Sequence, residues 1–399
     1  MSGPLADVRI IDLSNVVSGP MAVQLLADQG ADVIKVEQPG GGDISRQMGA
    51  MRNGTAALFA VLNRNKRSIV IDTHQESGRS LLLDLVRTAD VVVQNFRPGA
   101  MDRMGIGYSD LRAVREDLIY ASISGFGSDG PYAARRVYDP VIQGITGFVD
   151  VQTGRGAQRP ELVKNIVCDK ATALNAAQAI TAALYARERG AGGQALEVAM
   201  MDVGLAFLWP DGMWPDGMWN NTLLGEGVRP MPSLADIYRV ARTLDGSITY
   251  LTVSDDEWRG MCRAIDRADL AEDPRYATLV ARISNIDEMV DLLDDELVKW
   301  KTDEICARLD AEDVPFARVC KLDEVHTDPQ IVHRESLIEA EHPSGGPLRM
   351  PRPTARFEST PSEVRFMAPE LGEHTDEILR ELGHNDASIE QLRGAGSVS

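Results

Sequence analysis

Asp169 is a carboxylate at the start of a predicted helix, where it could act as a nucleophile. It stands two residues before an Ala-rich segment, Ala171 to Arg189, which predicts a long helix with a glycine stop at Gly190. A helix N-terminus favours an ionised carboxylate and offers amide donors to an oxyanion, so this carboxylate could attack an acyl carbon and form a mixed anhydride. The same position suits a helix N-cap, and position alone favours the cap.

Cys168, beside Asp169, is the alternative nucleophile, but no histidine lies near it in the sequence. A small buried cysteine is commoner than a reactive one. The four cysteines show no CxxC spacing, and the six histidines form no HExxH or similar ligand pattern. The sequence therefore predicts neither a metal site nor a disulfide.

Two further motifs invite a functional interpretation. The stretch GFGSDG, residues 125–130, follows a predicted strand and matches GxGxxG, but Pro131 stands where a dinucleotide fingerprint would open a helix. The stretch WPDGMWPDGMW, residues 209–219, holds three of the five tryptophans and repeats a Pro-Asp-Gly turn. We expect a glycine turn in the first. The second predicts consecutive turns or a short duplication in a linker without catalytic role. Its Trp and Met side chains could line an acyl pocket or pack in a dimer.

Composition limits the classes of function. The chain has 399 residues, 44% of them hydrophobic, which is enough for more than one hydrophobic core. Its formal net charge of −19 argues against a nucleic-acid partner, because such proteins present a basic face to the phosphates. The sequence contains no long uncharged apolar run and starts without a basic stretch followed by an apolar one. We therefore expect a cytoplasmic protein with no membrane partner.

The segments that must position Asp169 follow a βαβ order. Over the first 125 residues, short β-branched runs alternate with amphipathic stretches, as in VRIIDL, MAVQLLADQG, DVIKVE, DVVVQNF and LIYASISGF. This order predicts an α/β fold with a doubly wound, Rossmann-like parallel sheet, in which ligands bind at the carboxyl ends of the strands. After the Trp-rich repeat, acidic helical segments such as IDEMVDLLDDELVKW replace the alternation and indicate a second domain over about 222–330.

Seven segments together resemble a known family. They occur in that family's order: VRIIDLSNVVSGPMAVQLLADQGADVIKVEQPGGGD, NRNKRSIVIDT, VVVQNFRPGAMDRMGIGY, ISGFGSDGP, YDPVIQGITG, GGQALEVAMMD and LGEHTDEILRELG. On these segments the chain resembles, over nearly its whole length, the class III CoA-transferases. That family includes formyl-CoA transferase and carnitine CoA-transferase and is related to α-methylacyl-CoA racemase. Its members also have a glycine-rich turn followed by proline where GFGSDGP stands.

The resemblance implies that Asp169 is the family's nucleophilic aspartate. Its carboxylate would attack the thioester of an acyl-CoA, giving an aspartyl anhydride and then an aspartyl-CoA thioester, before CoA passes to an acceptor carboxylic acid. Coenzyme A would be a substrate, with no cofactor bound permanently. The implied assembly is a homodimer of interlocked rings. The implied layout is a CoA-binding large domain over 1–205, a linker over 206–221, a smaller α+β domain over 222–330, and a C-terminal segment over 331–399 that returns to the large domain.

The resemblance also indicates where CoA would bind. Arginines on loops that leave the predicted strands, among them Arg97, Arg103, Arg135 and Arg136, form a candidate phosphate patch. Val17 stands where formyl-CoA transferase has Gln, and Gln38 stands where it has a basic residue, which weakens any assignment of formate or oxalate as substrate. No run of glycines like the family's shielding loop occurs between 222 and 280. The expected contact residues are Val17, Ser18, Gln38, Asn95, Phe96, Arg97, Arg103, Arg136, Val137, Tyr138 and Asp139.

Two alternatives stay open at the level of sequence. The racemase branch shares the fold, the CoA site and the aspartate. The resemblance implies a His-Asp pair in the racemases where this chain has Tyr138 and Asp139. Tyrosine, with an ordinary pKa of about 10, is a poor base at neutral pH, so transfer is favoured over racemisation. The other alternative is a CoA-binding protein without catalysis, which the presence of Asp169 in its motif argues against.

Overall fold

The fold is that of a computed structural model, which describes residues 3–153, 159–212, 222, 225–227 and 237–399. The chain divides into two compact units. The first, the sheet unit, comprises Met1–Thr146, Lys164–Phe207 and Pro329–Ser399. The second, the small unit, comprises Gly147–Val163 and Leu208–Asp328. The domain boundaries inferred from the sequence stay predictions.

The sheet unit is built on six parallel strands in the order β5-β2-β1-β6-β7-β8. The parallel sheet predicted from the β-branched runs is confirmed, and the run DVIKVE coincides with one whole strand. The described strands are β1 (Arg9–Asp12), β2 (Asp32–Glu37), β3 (Met51–Arg52), β4 (Thr55–Ala56), β5 (Lys66–Val70), β6 (Val91–Gln94), β7 (Ile119–Ser124), β8 (Ala195–Ala199), β9 (Val240–Arg242), β10 (Ser247–Tyr250), β11 (Phe316–Arg318), β12 (Leu337–His342) and β13 (Gly346–Pro351).

Helices cover both faces of this sheet, because successive strand side chains point to opposite sides. Ile10 packs in one core with helices α1 and α8, whereas Ile11 packs in another with α3. The described helices are α1 (Ser18–Asp28), α2 (Ala57–Leu62), α3 (Glu76–Arg87), α4 (Ala100–Arg103), α5 (Tyr108–Val114), α6 (Asp139–Thr146), α7 (Phe148–Thr153), α8 (Val167–Ala186), α9 (Met200–Gly212), α10 (Asp255–Ala264), α11 (Leu279–Ser284), α12 (Ile286–Leu297), α13 (Thr302–Ala311), α14 (Pro329–His333), α15 (Thr375–Glu381) and α16 (Asp386–Gly394).

The small unit has its own core and its own sheet. Strands β9, β10 and β11 form an antiparallel sheet. Trp258 is fully buried beside Tyr276, with the ring centroids 5.7 Å apart. Ser254 and Glu257 form a capping box that starts α10. The acidic helix predicted over residues 286–300 is α12, whose apolar residues, such as Leu293, face this core.

The long Ala-rich helix is confirmed as α8, although it begins at Val167, before Asp169. It passes into a π-helical turn, Arg187–Ala191, in which Gly190 has φ 92°, so the glycine stop falls where the sequence indicates. Most of the Trp-rich repeat, from residue 213 to residue 219, lies outside the described residues. Among the helices that the structure describes, none combines the length and apolar character needed to cross a bilayer.

Candidate active site

A cavity of about 170 Å³ opens in the sheet unit at the carboxyl ends of β1, β6 and β7. Its walls come from the loops that follow these three strands, from the segment 133–138, and from the first residues of α8 and α9. These strands are neighbours in the sheet, so the three loops meet on one edge. This is the edge at which open parallel sheets bind their ligands.

Asp169 reaches this cavity from the first turn of α8 and is partly buried. Its Oδ1 accepts a hydrogen bond from Ser18 Oγ. Burial raises the pKa of Asp169 above the ordinary aspartate value, the Ser18 hydrogen bond opposes this rise, and the Asp139 charge adds to it. In the part of the chain that the structure describes, Oδ2 accepts no hydrogen bond, so it is the oxygen available for attack.

Asp169 is not the N-cap of α8, so the cap interpretation from sequence is wrong. The cap position is Ile166, and the capping acceptor is Asp139, the first residue of α6. Asp139 Oδ2 accepts the amide hydrogens of Cys168 at 2.7 Å and of Asp169 at 3.1 Å. The first amides of α8 are therefore occupied, and the expectation that they serve an oxyanion beside Asp169 is not met.

A strained turn joins β1 to α1 beside the cavity. Val16 has φ 70°, in the left-handed region that β-branched residues rarely adopt, and such strain costs about 1–3 kcal/mol. Its amide donates to Asp43 Oδ1 at 3.1 Å. Asn15 and Asn95 exchange two hydrogen bonds, of 2.8 and 2.7 Å. These contacts fix the turn, so that α1 begins at Ser18 on the wall of the cavity.

Cys168 is fully buried and does not line the cavity. Burial raises the pKa of its thiol to about 12, with further contributions from the charges of Asp139 and Asp169. A thiol in this state carries almost no thiolate at neutral pH and is a poor nucleophile. Its structural role, indicated by the sequence, agrees with this placement.

The structure brings many of the predicted contact residues together and leaves others apart. Gln38 lies in a neighbouring pocket, where its side-chain amide donates to Thr73 Oγ1 at 2.8 Å. Arg103 and Arg136 are exposed and lie outside the cavity, and buried Asp139 caps α8. Arg135, from the candidate phosphate patch, does line it. The predicted residues on the cavity wall are Val17, Ser18, Asn95, Phe96, Arg97, Val137, Tyr138 and Asp169.

Several residues of the site were not predicted. Asn15 and Ser124 line the cavity, and Gly125 lies so close to Val137 that a Cβ atom would stand 2.3 Å from the valine methyl group. In the sequence this glycine stands out only as part of GFGSDG. After Gly125 the chain forms a turn, and the next helix starts at Asp139, which agrees with the expectation that no dinucleotide helix opens there.

Comparison with known proteins identifies the family. The model of CoA-transferase family III matches residues 5–375. A succinate–glutarate CoA-transferase of Agrobacterium fabrum is 35% identical over 95% of this chain and 96% of its own length. A formyl-CoA:oxalate CoA-transferase of Rhodopseudomonas palustris is 33% identical over 100% of this chain and 98% of its own. The crystal structure of a CAIB/BAIF family protein from Brucella suis superimposes with a TM-score of 0.82 at 33% identity, covering 96% of this chain and 100% of that one. The chain therefore belongs to CoA-transferase family III and is a CoA-transferase.

Proposed function

We propose that this CoA-transferase moves CoA from an acyl-CoA thioester to a free carboxylic acid through covalent intermediates on Asp169. The observation that carries the proposal is the placement of this carboxylate. It stands on the wall of a cavity at the carboxyl edge of the sheet, with Oδ1 held by Ser18 and Oδ2 without a hydrogen-bond donor among the described residues. A held, partly desolvated carboxylate is a suitable acyl acceptor.

The reaction consists of two halves. In the first, CoA moves from the donor acyl group to Asp169, and in the second it moves from Asp169 to the acceptor acid. Asp169 Oδ2 attacks the thioester carbonyl, the C–S bond breaks, and CoA thiolate leaves an acyl–aspartyl anhydride. The thiolate attacks the aspartyl carbon of the anhydride and releases the first acid as its carboxylate. The acceptor carboxylate then attacks the aspartyl-CoA thioester, and the departing thiolate attacks the new acyl carbon, which frees Asp169. Thioester bonds formed and broken are equal in number, so no ATP is needed.

Each attack creates an oxyanion that requires hydrogen-bond donors. The amides of Ser18 and Gly19, at the N-terminus of α1, have no acceptor among the described residues. The Ser18 hydroxyl contacts Asp169 and Ser18 lines the cavity, which supports a role of these amides as oxyanion donors. Loss of one oxyanion donor typically lowers the rate by about 10²- to 10³-fold. We assign to α1 the role that the sequence had suggested for α8.

Arg97 and Arg135 are the cavity arginines that fit the phosphates of CoA. Both are exposed, and the structure pairs neither with an acid among the residues it describes. Arg135 is held by stacking on Tyr132, with its guanidinium carbon 3.6 Å from the ring centroid. In a protein with a net charge of −19, unpaired arginines at a cavity mouth supply the local positive potential that a polyanionic substrate needs.

The experiment that tests the mechanism is chemical trapping on Asp169. Hydroxylamine added during turnover should convert this side chain to a hydroxamate, which mass spectrometry of its peptide detects. Omitting the acyl-CoA provides the control and should leave the peptide unmodified. Asp169→Ala should abolish transfer while CoA binding persists. An unmodified peptide during turnover, or transfer by Asp169→Ala, would contradict the mechanism.

Substrates are best found by a screen of acyl-CoA donors against free acids. The names of the two relatives supply the first pairs, succinate with glutarate and formyl-CoA with oxalate. Turnover of one pair would identify the substrates, and a full screen without turnover would show that the tested donors and acids do not include them.

Racemisation of a 2-methylacyl-CoA is the competing chemistry, and the geometry supports it less well. All six histidines lie in the described part of the chain, and none lines the cavity. Asp139 is buried and occupied by helix amides, and Tyr138 is 69% exposed. Fast exchange of the α-proton in deuterated water with no acceptor acid present, dependent on Asp169 and Tyr138, would favour the racemase.

We further propose, from the family resemblance, an interlocked homodimer located in the cytoplasm. Light scattering after size-exclusion chromatography measures the assembly directly. A mass of about 87 kDa, twice the 43.5 kDa of one chain, is expected. A monomer with full activity would contradict the dimer.

A further inference from the structure

Two buried, oppositely charged side chains hold the turn that precedes α1. Lys35 Nζ donates to the carbonyl oxygen of Ser14 at 2.8 Å and lies 3.0 Å from Asp43 Oδ2. Asp43 Oδ1 accepts the amide hydrogen of Val16 at 3.1 Å. The side chain of Lys35 is 1% exposed and that of Asp43 is fully buried. The ion pair therefore binds two backbone groups of the turn, the carbonyl of Ser14 and the amide of Val16, one on each side of Asn15.

We infer that Asp43, fixed by Lys35, is a positioning residue for the transfer reaction. It holds Val16 in the left-handed conformation that brings Ser18 to Asp169. The inference rests on the proposed role of Asp169. Without the bond from Val16 to Asp43, the valine would relax toward the backbone angles that β-branched residues prefer. Because Val16 stands two residues before Ser18, this relaxation would turn the start of α1 away from Asp169.

The charge of Asp43 matters as well as its shape. Burial raises the pKa of Asp43, but Lys35 and the amides of Ser45 and Val16 outweigh burial and keep the pKa below the ordinary aspartate value. The carboxylate is therefore ionised at neutral pH. A charged acceptor forms a stronger hydrogen bond than a neutral one, which suits a bond that must oppose backbone strain.

The direct test is Asp43→Asn, which preserves size and an oxygen acceptor but removes the charge facing Lys35. We expect kcat to fall by about 10- to 100-fold, in the range that small misplacements of reacting groups cause, with little change in the KM for acyl-CoA. The double variant Lys35→Gln/Asp43→Asn removes both charges together and leaves no lone buried charge, so it should fold even where the single variant does not. It should show the same loss of kcat.

The decisive readout is rescue by Val16→Gly. Glycine adopts the left-handed conformation without strain, so it should restore most of the lost kcat in the Asp43→Asn background. A role in folding alone predicts that Val16→Gly raises Tm but leaves kcat per folded molecule unchanged, because relief of the strain at Val16 stabilises the fold in either case. Val16→Gly is measured alone to complete the cycle.

Asp28→Asn is the matched control. Asp28 is a buried carboxylate of the same unit, paired with Arg64 at 2.7 Å and not part of the turn. Its loss should lower Tm without the selective fall in kcat. Wild-type kcat in folded Asp43→Asn, or no rescue by Val16→Gly, overturns the inference.

The results for Asp169 and Asp43 variants distinguish a wrong mechanism from a wrong positioning role. If hydroxylamine labels Asp169 and Asp43→Asn keeps its kcat, only the positioning role is wrong. If Asp169→Ala still transfers CoA, the proposed function fails, and the positioning role fails with it.

Discussion

Asp139 Oδ2 accepts the amide hydrogen of Asp169 at 3.1 Å, so one carboxylate fixes the backbone of another that lies thirty residues further along the chain. The same oxygen also caps the preceding residue of α8. The two charges repel, and Asp139 adds to the rise in the pKa of Asp169. Asp139 therefore orients the nucleophile through its backbone and makes its side chain harder to ionise.

Asp139 substitutions should separate these two effects. Asp139→Asn keeps an oxygen for the α8 amides and removes the charge, so the acid limb of the kcat/KM profile should move to lower pH. Asp139→Ala removes the cap as well and should lower the free energy of unfolding by about 0.5–2 kcal/mol. Chemical denaturation and pH–rate profiles measure the two quantities. An acid limb that stays in place in Asp139→Asn would contradict the assigned charge effect.

Ser18→Ala should move the acid limb in the opposite direction. The reaction needs ionised Asp169, whose pKa is raised by burial, so kcat/KM should fall as the pH drops through a value above that of ordinary aspartate. The Ser18 hydrogen bond opposes the rise, and its removal should shift the limb to higher pH. Ser124→Ala is the control, because that hydroxyl lines the same cavity but accepts from the Gly127 amide. Equal shifts in the two variants would refute the specific role of Ser18.

Gly125→Ala should impair substrate binding. An added Cβ would stand 2.3 Å from Val137 Cγ1, so Val137 would have to move within the cavity wall. We expect a higher KM for acyl-CoA, partly restored in Gly125→Ala/Val137→Ala. Gly144→Ala is the matched control, since its Cβ meets no atom within 4 Å. A KM unchanged in Gly125→Ala would show that this wall does not contact the substrate.

Neighbouring arginines provide a test of the CoA phosphate site. Arg135 lines the cavity and Arg136 does not, although both are exposed. Arg135→Gln should raise the KM for acyl-CoA by about tenfold or more, as expected for a lost hydrogen bond to a charged group, and Arg136→Gln should change it little. Added salt should narrow the difference. Equal effects of the two substitutions would place the phosphates elsewhere.

The elements of the sheet could be predicted because their signals are local. The run from Asp32 to Glu37 contains three β-branched residues, Val33, Ile34 and Val36, and it forms one strand that is buried from Val33 onward. The cap of α8 could not be predicted in this way, since it comes from Asp139 on another helix. Capping patterns in the sequence consider only the residues just before a helix, which is why they pointed to Asp169.

The sequence predicts the site residues that directly follow strands. It does not predict the contacts between side chains that are far apart in the chain. Asn95 to Arg97 come directly after β6, so the sheet alone places them at the cavity. The contact of Ser18 with Asp169 joins residues 151 positions apart, and no spacing in the sequence encodes it. Gln38 also follows a strand, but its side chain turns to Thr73 and lies in a neighbouring pocket.

The core under the strands β1, β2 and β5 is completed by the last helices of the chain. Ile378 and Leu379 of α15 and Ile389 of α16 pack with Ile11 and Ile34. About 300 residues separate β5 from α15, which is about 15–60 s of synthesis on a ribosome. During that time α3 can already pack on this face, but the part of it that α15 and α16 cover in the finished fold stays exposed. The sheet unit therefore closes only when nearly the whole protein has been made, and its nascent chain should depend on chaperones that shield apolar surface.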